Sequence, residues 1–579
     1  MTESADLIVV GGGPAGTTLA ALVKKYAPER RVLLLEKCPG PRHHVGESLL
    51  PAMVPVLKEL GVFEKIDGAG FPRKIGANYI WGEDREPWEN DFNDVNVTEM
   101  ITRRGGIPEK IEYAWQVRRS EYDEILLTHA ESLGVEVVRG AAADGILEEG
   151  EKITGLKWTG PDGKPRETSG RVADCSGQNG FLSRFRRIRD YDPRMRNVAG
   201  YAYFKGAKWK YEYSGHPDKT KIFICSTAQG WLWFIPISKD VVSIGLVTPV
   251  SRVKTGGKDL RAIFFAELDR CEEIKPLLAD AIHMKDFEGT GQDFFTQSDW
   301  SFLNAQAAGP GWLVCGDAAL FIDPILSSGV TLAHFGGHRA AYTLLAEWAA
   351  TDAALPPLLW TDYNTYTRES SALFMIMAMF WYGNDRTARG WWRKAREIQR
   401  AWLPVELDDH QAFIAVTTGL TRHFERLLST LELLDDQVTK PEEYPFYASV
   451  LKGAPADPEL PSGDERPRLL FPRAVELAFH PRIGEGKLSP VKRVRFLKHP
   501  ETDALSDALN PRRFVTRYHL ALLDALDGRR TFAEACAVAE AQGVPGWWLE
   551  RRAPIFLREL RLQGAVEWGR AAAPAGGRA

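Results

Sequence analysis

The sequence predicts an α/β fold: a Rossmann-like nucleotide-binding domain, an inserted antiparallel β-sheet, and a mostly helical C-terminal extension. Three observations predict it. A glycine-rich turn joins a strand to a helix near the N-terminus, alternating aromatic segments fill residues 198–250, and a helical pattern begins near residue 331.

The elements follow in order. Leu7-Ile8-Val9-Val10 is a short apolar, β-branched run and reads as a buried strand. Gly11-Gly12-Gly13-Pro14-Ala15-Gly16 comes next and matches GxGxxG. Thr17 to Tyr26 has helical spacing, and Arg31 to Leu35 is a second strand ending at Glu36. Strand, glycine turn, helix, strand and acid together form the dinucleotide fingerprint in its required context. Gly11 allows the tight turn, Gly13 lets backbone approach a pyrophosphate, and Gly16 lets helix and strand pack closely. The helix N-terminus offers free N–H groups to phosphates. Glu36 stands 20 residues after Gly16, placed to accept a ribose hydroxyl.

Composition bounds the rest. A chain of 579 residues exceeds one core, so two to four domains are expected. Lys and Arg total 73 against 77 Asp and Glu, a net charge of -4, which gives no electrostatic case for nucleic acid or an anionic membrane. The six cysteines are scattered with no CxxC pair, which argues against a disulfide framework and against a cysteine zinc site, so no metal is expected, and fits a reducing cytoplasm. The first strand starts too early for a signal peptide ahead of it. The apolar run from Ala372 to Tyr382 is too short to span a bilayer and reads as a buried helix.

After Glu36, a polar loop from Pro39 to Ser48 leads to a helix over Pro51 to Leu60, and Phe71 to Trp81 reads as a turn into a strand. Residues 82–113 read as an insertion over a site or a surface loop. A helix is expected from Trp115 through Ser132, a strand at Gly134 to Val138, and a β-meander over 144–158 and 167–174. Trp312-Leu313-Val314-Cys315 is again a buried strand, followed by Gly316-Asp317 and a long helix from about Thr331. The expected division is a core over 1–340, with the inserted sheet drawn from about 71–113 and 185–295. A helical region over 341–440, a linker or strap over 441–515, and a winged-helix-like module over 516–579 follow. That module raises nucleic acid as an alternative. Arg551, Arg552, Arg558 and Arg561 also read as the solvated face of a docking module.

Two features favour FAD over NAD. A β-rich segment interrupts the nucleotide-binding sheet, and Gly316-Asp317 sits at a strand end ahead of a helix, where an aspartate binds a ribityl chain. An N-cap is the structural alternative for Asp317.

Three stretches then carry a family resemblance: GGGPAG at 11–16, Trp231-Leu232-Trp233-Phe234-Ile235-Pro236 as WxWxIP, and Phe321, Pro324, Ser327 and Gly329 as FxxPxxSxG. With Lys74 close after Phe71-Pro72, the chain resembles the flavin-dependent halogenases over about residues 1–340. The resemblance implies an FAD-binding domain of the flavin hydroxylase type. It also implies that reduced flavin and oxygen convert chloride to hypochlorous acid, which passes along a tunnel to Lys74. Lys74 and Ser327 become the candidate catalytic residues, and the amides of Ser328 and Gly329 the halide site. Gly11, Gly13, Pro14, Ala15, Gly16, Glu36, Lys37, Ser48, Arg119 and Asp317 become the cofactor-binding set. Trp231, Trp233, Pro236, Phe321 and Pro324 become the tunnel wall. In the family the WxWxIP segment is read as a block to hydroxylation; whether it blocks or only walls the tunnel stays open here.

One position departs from the pattern. Halogenases acting on free tryptophan carry a glutamate directly before the serine turn, and here Leu326 stands there. That favours an activated substrate, a phenol, pyrrole or enolisable acyl group, free or held on an acyl or peptidyl carrier protein. No second dinucleotide fingerprint appears, and the resemblance implies a separate flavin reductase as partner. An aromatic hydroxylase and a non-catalytic carrier- or DNA-binding protein on this fold are the alternatives.

Overall fold

Leu7, Ile8 and Val9 are all fully buried, as a central parallel strand covered on both faces requires. In the computed structural model of this chain, the described residues are 3–82, 85–92, 113–186, 188–191, 195–209, 219–256, 259–298, 301–349 and parts of 359–417. Toward the C-terminus they are 460–462, 464–469, 475–484, 487–496, 517–551, parts of 553–561, and 566–570. Residues 93–112 of the expected insertion, most of the apolar run 372–382 and the tail 571–579 lie outside them.

The first strand, Glu3–Val10, is the hub of an eight-stranded sheet. Val32–Glu36 pairs with it in parallel on one side and Pro165–Asp174 on the other. Glu136–Arg139 extends one edge and Trp312–Val314 the other, both parallel. The expected meander forms as Ala142–Glu149, Lys152–Thr159 and Pro165–Asp174, each antiparallel to the next.

The inserted sheet has nine strands. Asn197–Lys205, Val241–Pro249, Trp231–Pro236 and Lys219–Ser226 are antiparallel neighbours in that order. The sheet is mixed rather than purely antiparallel, because Lys219–Ser226 pairs in parallel with Arg73–Ile80 from far upstream. Pro87–Asp91 closes that edge.

Four sequence expectations are corrected. The helix expected from Trp115 begins at Arg119. Ala114–Trp115 is a short strand on Arg73–Lys74, and the amides of Gln116 and Val117 are used by Pro72 and Glu47 carbonyls, so no helical turn can start there. The long helix runs Gly329–Ala349, and Asp317 does not sit directly before it. A turn at Gly316–Ala318, a short strand at Leu320–Phe321 and a turn at Pro324–Leu326 intervene, the last opened by Asp323 accepting from the Ile325 amide at 3.0 Å. Within the expected linker 441–515, Val475–Gly484 and Lys487–Phe496 pair as a hairpin. Finally, the helices Arg517–Ala525, Phe532–Ala541 and Gly546–Arg551 appear in the expected order. The terminal strand Val566–Arg570, however, pairs with Glu465–Leu469, upstream of the expected module. Among the described residues, no helix is long and apolar enough to cross a membrane.

The two halves of the nucleotide domain meet where helix Pro14–Tyr26 crosses helix Gly329–Ala349. A Cβ on Gly337 would stand 2.5 Å from the Ala15 carbonyl oxygen and 3.0 Å from Thr18 Cβ. Backbone cannot yield there as a flexible side chain would. Gly337→Ala is therefore expected to cost about 1–3 kcal/mol through overpacking and to loosen flavin binding. Thermal unfolding together with flavin retained on gel filtration checks this; an unchanged melting curve and full retention contradict it.

Candidate active site

The nucleotide end is built by backbone. Gly11 adopts φ +107, and a Cβ there would lie 2.4 Å from the Cys175 carbonyl oxygen. Gly16 is equally closed, 2.0 Å from the Gly11 carbonyl oxygen. Gly13 differs: nothing lies within 4 Å of where its Cβ would stand. Two glycines are thus needed for the protein's own packing, and the third faces the open space that a pyrophosphate would occupy. Pro14 starts the helix at its first position, where a missing N–H costs nothing, and Ala15 is buried behind it. Glu36 accepts from the Gly12 amide at 2.7 Å and the Cys38 amide at 2.9 Å, which fixes its carboxylate at the loop edge. Lys37 is exposed at the strand end.

A cavity lies against the inserted sheet. His44 to Ser48, Arg119, Gln178, Asp317 and the segment 320–332 line one side, and Ile222, Ile224, Trp231, Trp233 and Ile235 the other. Arg119 is clamped by Asp123 through two contacts of 2.9 Å and donates to the Val45 carbonyl at 3.0 Å. Gly46 lets it in, since a Cβ there would meet Arg119 Nη1 at 2.8 Å. Asp317, enclosed by protein around the cavity, has its carboxyl pushed up to about 7 by burial, although nearby Arg119 pulls it down. Ser48 is buried, and its Oγ has no hydrogen-bond partner among the described residues.

These features fit FAD. The open glycine cradle, the orphaned Ser48 hydroxyl and a desolvated aspartate facing a cavity are donors and acceptors waiting for a polar ligand. When bound, FAD supplies flavin redox chemistry beside this cavity.

At the far end, Ser327 sits in the left-handed region at φ 55. A non-glycine residue there is strained, and such strain concentrates at functional turns. The turn aims the chain into helix Gly329–Ala349, whose first-turn amides have no intrahelical acceptor. Ser327, Ser328 and Gly329 all line the cavity, as do Phe321 and Pro324. Leu326 is 4% exposed and packs with the aromatic cluster of the inserted sheet, so this position is apolar and holds no base.

The pleat decides which WxWxIP residues reach the cavity. Trp231, Trp233 and Ile235 share one face of their strand; Pro236 points to the other, toward Trp209, Lys221 and Leu277. Lys74 also lies outside the cavity lining. It is 1% exposed on Arg73–Ile80, opposite Thr220 of the strand that supplies Ile222 and Ile224 to the wall. Its ammonium stands 5.7 Å from the Phe92 ring centroid, and burial lowers its pKa from 10.5 to about 7.

Sequence reasoning missed Glu47, the neighbour of Ser48. Glu47 is 3% exposed in the cavity wall; Tyr203 donates to its Oε1 at 2.7 Å, and its Oε2 has no partner among the described residues. Burial raises its pKa from 4.5 to about 7. An acid in the Gly46-Glu47-Ser48 loop carries no signal of burial in sequence. It also missed Asp323, which accepts from Tyr382 at 2.8 Å, while Tyr382 in turn accepts from Trp231 Nε1 at 3.0 Å.

The sequence model of the tryptophan halogenase family matches residues 6–105 and 94–427. A flavin-dependent halogenase of Armillaria mellea, armH3, is 34% identical over 396 residues, 65% of this chain and 74% of that protein. The 1H-pyrrole-2-carbonyl peptidyl-carrier-protein chlorinase of Pseudomonas fluorescens is 32% identical over 340 residues, 57% of this chain and 73% of that one. Among solved structures, the myxobacterial chondrochloren halogenase CndH superposes with a TM-score of 0.59 at 27% identity, covering 75% of this chain and 97% of its own. The halogenase CmlS shares the fold across 99% of this chain and 97% of its own, with a TM-score of 0.64 at 23% identity. The chain belongs to the tryptophan halogenase family and is a flavin-dependent halogenase.

Glu47 gives a pH prediction. Its folded pKa, about 7, lies above the unfolded 4.5. The folded state keeps a proton that the unfolded chain releases, so the stability this group contributes is fully present below pH 4.5 and is lost as pH rises through about 7. Glu47→Gln should therefore match wild type at the acid end and exceed it above neutrality, measured by denaturant unfolding of the flavin-free protein. A pH-independent difference contradicts the assignment.

Proposed function

We propose that the chain is a chlorinating halogenase that uses reduced FAD, oxygen and chloride on an activated substrate: a phenol, a pyrrole or an enolisable acyl group. The observation that carries this reading is the strained Ser327 turn opening a long helix onto the same cavity as Asp317 and Arg119. Ser328 and Gly329 would hold the halide through first-turn amides, where dipole and N–H groups favour an anion without a full positive charge. Asp317 would accept from the ribityl hydroxyls, Glu36 from the ribose, and Ser48 would donate to the cofactor. Ser327 would sit between the flavin site and Lys74. Trp231 and Trp233 would exclude water from the passage and confine the oxidant.

Lys74 would receive the hypohalous acid. An amine with a pKa near 7 is substantially neutral at physiological pH. Its nitrogen can accept the O–H of hypohalous acid, or take the halogen as a chloramine with release of water. Leu326 in place of a carboxylate leaves the substrate to assist its own deprotonation, which an electron-rich ring or an enol does. The carrier-protein chlorinase among the relatives supports a tethered substrate. The C-terminal extension would then form the docking surface, the winged-helix-like module included. A separate flavin reductase would feed the enzyme in the cytoplasm, in keeping with cysteines that are all free.

The test supplies reductase, bromide and a panel of free and carrier-bound phenols, pyrroles and acyl groups. A bromine isotope pattern in the product is expected. A gain of one oxygen independent of halide overturns the reading. Lys74→Ala should abolish halogenation while the protein stays yellow; full turnover would remove Lys74 from the mechanism.

The buried lysine also costs stability. Its folded pKa is depressed from 10.5 to about 7, so the penalty on the charged form is full below pH 7 and fades as pH rises toward 10.5. Lys74→Met should raise the melting temperature at pH 6 to 7, with the gain shrinking by pH 10. An equal or lower melting temperature at pH 6 contradicts this.

A further inference from the structure

Behind the cavity wall, on the opposite face of the inserted sheet, three ligating atoms converge. Cys225 lies near the end of strand Lys219–Ser226, Cys271 caps helix Leu260–Arg270, and Glu273 follows two residues later. The two sulfurs are 3.5 Å apart, and Glu273 Oε2 lies 3.5 Å from Cys225 Sγ and 3.3 Å from Cys271 Sγ. Among the described residues this is the group whose side-chain donors could hold a metal ion.

The triangle has the dimensions of one face of a tetrahedral site. Metal–sulfur bonds of about 2.3 Å and metal–oxygen bonds of about 2.0–2.2 Å put tetrahedral edges at roughly 3.5–3.8 Å. The observed edges are shorter than that by a few tenths of an ångström at most, so the three atoms need spread only slightly to admit an ion. Cys225 and Cys271 are 0% and 5% exposed, while Glu273 reaches toward solvent and supplies a path in. Arg85 completes the charge balance. It donates to Glu273 Oε1 at 3.0 Å, to the Ser226 carbonyl at 2.8 Å and toward Cys225 Sγ at 3.7 Å. It therefore occupies the carboxylate oxygen that faces away from the sulfurs. Two thiolates and a carboxylate are neutralised by a dication together with this guanidinium, and outer-sphere partners of this kind orient ligands.

We propose that Cys225, Cys271 and Glu273 bind a zinc-class divalent ion, with water in the fourth position. Each thiol gives its proton to the buffer as its sulfur binds the metal. The ion fastens strand Lys219–Ser226 to the helix that backs it. Ile222 and Ile224 of that strand wall the cavity from the other face, so the ion would stiffen the passage from behind without touching the chemistry.

The test titrates cobalt(II) into the full, flavin-loaded chain under reducing, chelator-free conditions. Visible bands of tetrahedral cobalt, at wavelengths beyond flavin absorption, should appear, saturate at one equivalent and vanish when zinc displaces the cobalt. Cys225→Ser and Cys271→Ser should lose the bands. Glu273→Gln, which leaves both buried thiols in place, should weaken zinc binding by at least about tenfold and carries the test if the cysteine variants fold poorly. Zinc should raise the melting temperature of wild type and not of Glu273→Gln. Absence of tetrahedral bands, bands unchanged in the variants, or a Cys225–Cys271 disulfide in the purified protein would each overturn the proposal.

Discussion

Everything in this molecule depends on the close crossing of helix Pro14–Tyr26 and helix Gly329–Ala349. At Gly337 the second helix presses on the Ala15 carbonyl, and at Gly316 the intervening turn meets the Ala15 side chain, where an added Cβ would come within 2.7 Å. The first helix carries the glycine turn for the nucleotide, and the second begins at the Ser327–Gly329 turn. Their crossing therefore sets the distance between the cofactor's phosphate end and the anion-favouring helix start. Both are helix N-termini, whose unsatisfied first-turn amides favour negative charge. A single close contact between two helices thus relates the glycine turn to the helix start at which a halide would bind.

The second constraint is desolvation. Lys74, Glu47 and Asp317 are each desolvated and shifted toward their neutral forms, Asp317 against the pull of Arg119. Such groups cost stability and cluster where chemistry needs them. Burial is the largest cause in each case, and the aromatic lining from Trp231 and Trp233 would confine a diffusible oxidant. Leu326 packs in the same apolar cluster as Trp231 and Trp233.

Much of this was legible in the sequence, because the physics was local. A continuous apolar run followed by glycines in fixed register can only be a buried strand entering a nucleotide turn, and Gly11, Gly13, Gly16 and Glu36 stand where that register requires. The meander and the long helix were likewise periodic signals. What was illegible depended on pairing across distance. The helix expected at Trp115 was displaced because Gln116 and Val117 give their amides to partners more than forty residues upstream. The parallel pairing of Lys219–Ser226 with Arg73–Ile80 has no local signature, and neither does the pairing of the terminal strand with Glu465–Leu469. Pro236 belongs to a specific motif, yet the pleat turns it from the cavity that Trp231 and Trp233 line. Glu47 and the Cys225–Cys271–Glu273 cluster become visible only when separate elements meet.

The central claim is that the helix start at Ser328 and Gly329 is a halide site next to the flavin. Anomalous diffraction from flavin-loaded crystals soaked in bromide tests it most directly. A bromide peak is expected within hydrogen-bond reach of the Ser328 and Gly329 amides. An empty turn at full flavin occupancy, with bromide bound elsewhere or nowhere, would contradict it.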